Sequence, residues 1–241
     1  MKKAFYVLLC LFLIIGTVSC TQNNRNNDNA NSQGNDPYKA IIEKYNELLV
    51  CKKNNTTIPE ASETDPSTIK TVYEIVKKCK NPLDMGYAKK DINNDGNEEL
   101  IFGKSTLDII AIFTVKDNEV VTLITQEDSN SMIWLDASGL IRVEQFVVEG
   151  QYMTGRRYLV YEISEGSLKR QVAIGCDAMK QGNWHKLDNQ QQIPVSKEEW
   201  NELYAKYDIC PFGWDNREYT KNYADLTIRP LLETPVPKNQ T

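Results

Sequence analysis

The spacing of apolar residues changes three times along the chain, and each change marks a different kind of element. Ala4 to Ile15 is an unbroken apolar run. From Tyr38 onward the apolar positions are Tyr38, Ile41, Ile42, Tyr45, Leu48 and Leu49, the three-and-four spacing of one helix face. Asp36-Pro37 in front of them is a good start signal. Aspartate accepts from the free N–H groups of a first turn, and proline at the first helical position gives up a donor that has no partner there. Asp65-Pro66 repeats the signal before Ile69, Val72, Tyr73 and Val76, and a polar stretch containing Pro59 separates the two. Two amphipathic helices are predicted.

From Met85 the period shortens. Leu100-Ile101-Phe102, Ile109 to Val115, Val120 to Ile124, Met132 to Leu135, Leu140 to Val148, Tyr158 to Ile163 and Leu168 to Ile174 are short β-rich runs. Turn residues separate them, at Asp117-Asn118, Asp136-Ala137-Ser138-Gly139 and Ser164-Glu165-Gly166-Ser167. Such spacing predicts an antiparallel meander of six to eight strands. Gly150 to Gly155 lacks the helix start and basic residue of a phosphate loop and reads as a hairpin tip. Ser196-Lys197-Glu198-Glu199 is a capping box before a last helix whose buried side is Trp200, Leu203, Tyr204 and Tyr207. The expected fold class is α+β: amphipathic helices first, then the meander, then a C-terminal helix. No internal repeat is visible, which argues against a propeller. Residues 37–230 are read as a single ectodomain and 231–241 as a Pro-rich tail.

The opening run changes the setting. Lys2 and Lys3 precede it, and Gly16-Thr17-Val18-Ser19 lead from it to Cys20. It is shorter than the roughly 20 residues that a helix needs to cross a bilayer core, so it reads as a removed export signal, residues 1–19. The run resembles the lipobox of bacterial lipoproteins, with Thr17 where leucine or another aliphatic residue is usual. That resemblance implies that Cys20 is diacylated and becomes the mature N-terminus, anchored to a membrane of the cell envelope on its extracytoplasmic side. Thr21 to Asp36 has no large apolar residue and is rich in Asn. It cannot bury enough surface to offset the entropy of ordering, so residues 20–36 are expected to be a lipidated, disordered tether.

Charge and cysteines then narrow the partners. The chain has 28 basic and 33 acidic residues, a net charge of −5, and loses two more positive charges with Lys2 and Lys3. That excess, without a dense basic run, argues against nucleic acid and anionic lipid as ligands. Cys51, Cys79, Cys176 and Cys210 remain beyond Cys20. Outside the cytoplasm they permit two disulfides in three connectivities. Cys51–Cys79 and Cys176–Cys210 are the favoured pairs, with free buried thiols as the alternative.

One segment carries legible chemistry. Asp91, Asn93 and Asp95 alternate as oxygen donors, and Gly96 permits a sharp turn that exposes the carbonyl of Asn97. Glu99 follows as a closing carboxylate. The set is all oxygen and approaches the six to eight ligands that Ca²⁺ takes, whereas soft metals need His or Cys. A standard EF-hand is excluded because Phe102 stands where its last ligand belongs and a strand, not a helix, follows. The segment resembles the calcium hairpins of FG-GAP and VCBS-type repeats, and Gly103 fits their ending. Together with Cys20, the Tyr38–Leu49 helix and the Ser196–Tyr207 helix, it resembles uncharacterised cell-surface lipoproteins of gut bacteria. The resemblance implies a structural calcium ion and leaves the biochemical role open.

No catalytic constellation emerges. His185 is the chain's single histidine, and no nucleophile elbow accompanies it. Glu144, Glu149 and Glu162 fall on expected strands and would serve a glycosidase only if two of them faced each other. Trp134, Trp184 and Trp214 are candidates for a sugar-binding face, while Trp200 is read as core. The expectation is a non-enzymatic binding protein for a glycan, peptide or surface protein. A carboxylate-based, glycan-directed extracellular hydrolase and a purely structural envelope protein are the alternatives.

Overall fold

A computed structural model describes residues 36–104, 108–126, 129–177, 183–188, 191–207 and 225–232. The expected leader, Cys20, the tether to residue 35, Cys210, Trp214 and residues 233–241 lie outside them.

Helix α1 (Lys39–Lys53) starts where Asp36 serves it. The Asp36 carboxylate accepts the Tyr38 N–H at 3.1 Å, and its carbonyl accepts the Lys39 N–H at 3.1 Å. Ile41, Tyr45, Leu48 and Leu49 form the buried stripe. Helix α2 (Ser67–Lys78) starts differently from the sequence expectation. Asp65 turns back to accept the Ser62 N–H at 2.8 Å, and no side chain caps the helix. A 3₁₀ turn, Pro82–Asp84, then leads into the sheet.

The strands are β1 (Met85–Lys90), β2 (Glu99–Lys104), β3 (Ile109–Lys116), β4 (Glu119–Thr125), β5 (Ser131–Leu135), β6 (Ile141–Glu149), β7 (Tyr152–Ser164) and β8 (Ser167–Asp177). Then come β9 (Trp184–Asp188), β10 (Gln191–Pro194), helix α3 (Lys197–Lys206) and β11 (Arg229–Pro230). All pairings are antiparallel, and the order is β10-β9-β8-β7-β6-β5-β3-β2-β1-β11 with β4 beside β3. The fold is mixed α+β, but its sheet has eleven strands rather than the expected six to eight. Besides β1, the strands outside the expected runs are β9, β10 and β11, which read WHKLD, QQIP and RP, short segments without an apolar alternation. They form because the open edges of β8 and β1 offer backbone groups that need partners. Both β10 and β11 end in proline, tolerated at an edge where a missing N–H costs no ladder bond.

Three apolar clusters hold the layers. The first lies between α1, α2 and one face of β1–β3. Tyr45 stacks on Phe102 with ring centroids 4.0 Å apart, and Phe102 meets Phe113 edge-on at 5.1 Å. The second uses the opposite face and contains no helical residue. Ile101, Ile109, Ile112, Ile133, Ile141 and Ile163 bury that side of the sheet against itself. Ile110 is an extra residue opposite the Phe102–Gly103 step. It resets the alternation, so Ile109 and Ile112 share a face despite their odd spacing. The third cluster sets Tyr158, Val160, Val172 and Ile174 beneath Trp200 of α3. There Ser196 caps α3 by accepting the Glu199 N–H at 3.1 Å. The reciprocal half of the capping box is not made, because the Glu199 carboxylate pairs with Lys186 of β9 instead. Among the described residues no helix is long and apolar enough to cross a membrane.

The sheet divides at β3. One edge of β3 pairs with β4 from Ala111 to Lys116, while Ile109 on the same edge pairs with Ile133 of β5. The two branches diverge in front of α2.

Candidate functional site

The Asp91–Glu98 loop joins β1 to β2, whose last pair is Lys90 with Glu99. Asn94 and Gly96 take positive φ, 59° and 91°, and produce the reversal. The donor side chains fold onto the loop's own backbone. Asp91 accepts the Asp95 N–H at 3.1 Å and the Gly96 N–H at 2.9 Å. Asn93 Oδ1 accepts the Asp95 N–H at 3.3 Å. Asp95 accepts the Asn97 N–H at 2.8 Å, the Asn97 side-chain amide at 3.1 Å and the Asn93 amide at 2.9 Å. The Asn93 amide, with the Asn97 N–H, holds the Asp95 carboxyl below its usual range.

Glu99 lies beneath the loop and is fully buried. It accepts the Ile92 N–H at 2.9 Å and the Thr114 hydroxyl at 3.0 Å. Burial pushes its carboxyl up, opposed by those two donors, and the charges of Asp95 and Asp91 push the same way as burial. Tyr38 at the start of α1 donates its hydroxyl to the Glu98 carbonyl at 2.7 Å, tying the helix to the loop.

Asp91, Asn93, Asp95, Asn97 and Glu99 therefore share one hairpin, as their spacing predicts. Among the described residues, however, no three Asp, Glu, His or Cys side chains are grouped closely enough to hold a metal ion. The donor chemistry still suits a hard cation. All donors are oxygen, and a carboxylate with one or two N–H bonds retains acceptor positions out of about four. The buried Glu99 carboxylate has two hydrogen-bond donors but, among the described residues, no ion pair to offset its charge.

Among the described residues no disulfide is formed: Cys51, Cys79 and Cys176 are free thiols, and Cys210, the expected partner of Cys176, lies outside them. Cys79 is buried within the first cluster, and that burial raises its thiol. Cys51 is only half-buried at the end of α1. The thiols thus face different surroundings.

The remaining candidates separate. Glu144 is fully buried with Arg156 at 3.5 Å, Glu149 is exposed at the β6–β7 tip, and Glu162 pairs with Lys169 at 3.1 Å. These are three environments rather than one facing pair. Trp200 is core, while Trp134 and Trp184 are half-buried on different strands. His185 is buried on β9. Glycines 150 and 166 take positive φ at hairpin turns; the tip is narrower than the expected 150–155, because residues 152–155 already run beside β6 as the start of β7.

A groove of about 1380 Å³ opens at the division of the sheet, and no local motif announces it. Ile109 and Ile110 of β3 border it, with Ser131 to Ile133 of β5 on one side and Thr71 and Glu74 of α2 on the other. Of its five acids, three lie beside lysines: Glu60 lies 2.7 Å and Glu74 3.5 Å from Lys77, and Asp108 lies 3.1 Å from Lys104, while Asp84 accepts the Asn81 side-chain amide at 2.6 Å. Compared with known proteins, the chain matches no family model, no curated protein and no solved structure.

Proposed function

We propose that the chain is a lipid-anchored extracytoplasmic binding protein, acylated at Cys20, with a structural Ca²⁺ on the Asp91–Glu99 hairpin. In this reading Asp91, Asn93, Asp95, the Asn97 carbonyl and Glu99 supply the oxygens, and the ion offsets the clustered negative charge. The groove in front of α2 receives the partner. The observation that carries a binding rather than a catalytic reading is the groove's lining, where Glu60, Glu74 and Asp108 are each engaged by a lysine and Asp84 by the Asn81 amide. The resemblance to single-loop cell-surface lipoproteins supports the anchoring and the ion.

The test has two parts, both on the full chain. Calorimetry with calcium and with chelator should show a higher melting temperature with calcium, because a ligand of the native state alone stabilises it by about 2.7 kcal/mol at a hundredfold excess over Kd. An unchanged melting temperature removes the ion from the proposal. A panel of glycans and envelope peptides should then yield a saturable binder that is lost in Thr71→Trp, which fills the groove. A binder indifferent to that substitution places the site elsewhere, and turnover of a bound glycan makes the protein an enzyme.

A further inference from the structure

A second hollow lies far from the hairpin, on the strands β6 to β10. It encloses about 290 Å³ and is bordered by Glu149, Thr154, Arg157, Asp177, Asn183, His185 and Gln192. Two glycines bring the sheet's surface low there. Gly175 pairs with Arg157 on one side and His185 on the other, and in the next row Gly155 pairs with Val147 and Asp177. A Cβ on Gly175 would stand 2.3 Å from His185 Nε2, so only glycine lets the imidazole settle against the strand.

Two groups in this hollow have unfulfilled bonding capacity. His185 is 5% exposed, and among the described residues neither ring nitrogen makes a hydrogen bond of full geometry, although the Asn183 backbone lies close to the ring. A neutral imidazole carries one N–H donor and one acceptor, and leaving both unmet in the interior is costly. Arg157 is half-buried and acts electrostatically on His185, yet its guanidinium has no ion pair or hydrogen bond among the described residues. Its neighbour Arg156 shows the contrast, engaged by Glu144 at 3.5 Å and lying 5.4 Å over the Phe146 ring. A free planar cation and an unsatisfied imidazole, with the Gln192 side-chain amide beside them and the Asn183 amide held only at 3.5 Å by Asp177, make a set of donors that matches an oxyanion.

We propose that this hollow binds the oxyanion of a small polar molecule, with Arg157 as the charge partner and the His185 ring N–H as a second donor. Asp177 and Glu149 at the rim select against a second negative charge and leave hydroxyl or amino groups as their complement. The volume exceeds that of a lone ion, so the anionic group is one end of a larger ligand. A carboxylate and a phosphate offer the same recognition chemistry.

Because His185 is the single histidine of the chain, its imidazole proton resonances report on the hollow without overlap. The full chain is titrated with inorganic phosphate, with acetate, and with chloride at matched ionic strength. A saturable movement of the His185 signals with phosphate or acetate, absent with chloride, is expected, and the anion that responds names the ligand class. Arg157→Gln should weaken that response at least tenfold. If that variant does not fold, Arg157→Lys, which keeps the charge and loses the planar fork, should weaken it severalfold. A response equal to that of chloride, or one unchanged in the folded arginine variant, overturns the proposal.

Discussion

The half of the sheet beneath α1 and α2 and the half beneath α3 are built from the same antiparallel strands, yet they spend their burial differently. Under α1 and α2, Tyr45, Leu48, Val72, Val76, Leu100, Phe102 and Phe113 are all fully buried, and the cluster is apolar apart from the Tyr hydroxyls and the Cys79 thiol. Under and beside α3, apolar positions alternate with Arg142, Glu144 and His185, all buried and all chargeable. The first half is a packed core, where a wide apolar stripe meets strands apolar on both faces and Glu99 is the one buried ionisable side chain on β1 to β3. The second is covered by a shorter helix and keeps ionic groups in its interior. It therefore depends on specific pairing and retains groups able to meet a ligand.

The largest effect expected from breaking this contrast is in the first half. Phe102→Ala removes the ring between Tyr45 and Phe113 and should cost about 3–5 kcal/mol in denaturant unfolding. In the second half, Asp136 accepts Arg142 Nε at 2.8 Å and Nη2 at 2.6 Å, and also holds its own turn through Ser138 and Leu140. Arg142 further donates to the Tyr207 carbonyl at the end of α3. Asp136→Ala strands a buried guanidinium and should cost about 3 kcal/mol or somewhat more. Replacing Asp136 and Arg142 together by apolar residues should recover part of that loss, whereas no second apolar substitution recovers Phe102→Ala. Equal recovery in both halves would erase the distinction.

A smaller effect concerns pH. Burial raises the carboxyls of Glu99 and Glu144, so the folded chain holds protons that the unfolded chain has already released. Stability without calcium should then fall as pH rises from the ordinary carboxylate range through the raised values. Asp95, whose carboxyl is lowered, acts oppositely and loses its contribution as pH falls. Glu99→Gln should flatten the chelated protein's loss of melting temperature with pH and abolish the rise with calcium. A slope that is unchanged in Glu99→Gln would exclude Glu99 as its source. The smallest effect belongs to the β6–β7 tip, where Tyr152 is 72% exposed. Tyr152→Ser should change stability by about 0.5 kcal/mol or less, and a larger loss would show that the tip is packed.

The parts legible in the sequence are those set by neighbours a few residues away. The α1 stripe follows from a three-and-four spacing, the Ser196 cap from its distance to Glu199, and the β6–β7 tip from Gly150. Asp65 shows where such signals mislead, because a carboxylate before a helix also serves a preceding turn, and here Ser62 takes it. Cys51 and Cys79 are free thiols, and their spacing along the chain carries no information on how near the two sulfurs come.

The sequence by itself determined the amphipathic helices, the run of short strands and the alternating oxygen donors at Asp91, Asn93 and Asp95, since each is written within one turn or one hairpin. Tertiary structure decided the rest. The short strands β9 to β11 at the two ends of the sheet exist because open ladder groups seek partners, whatever their side chains. The groove exists because β4 and β5 compete for one edge of β3. The hollow exists because register sets Gly175 between Arg157 and His185, residues of three different strands. Pairing across strands depends on registers accumulated over the whole sheet, and no local pattern of residues carries that information.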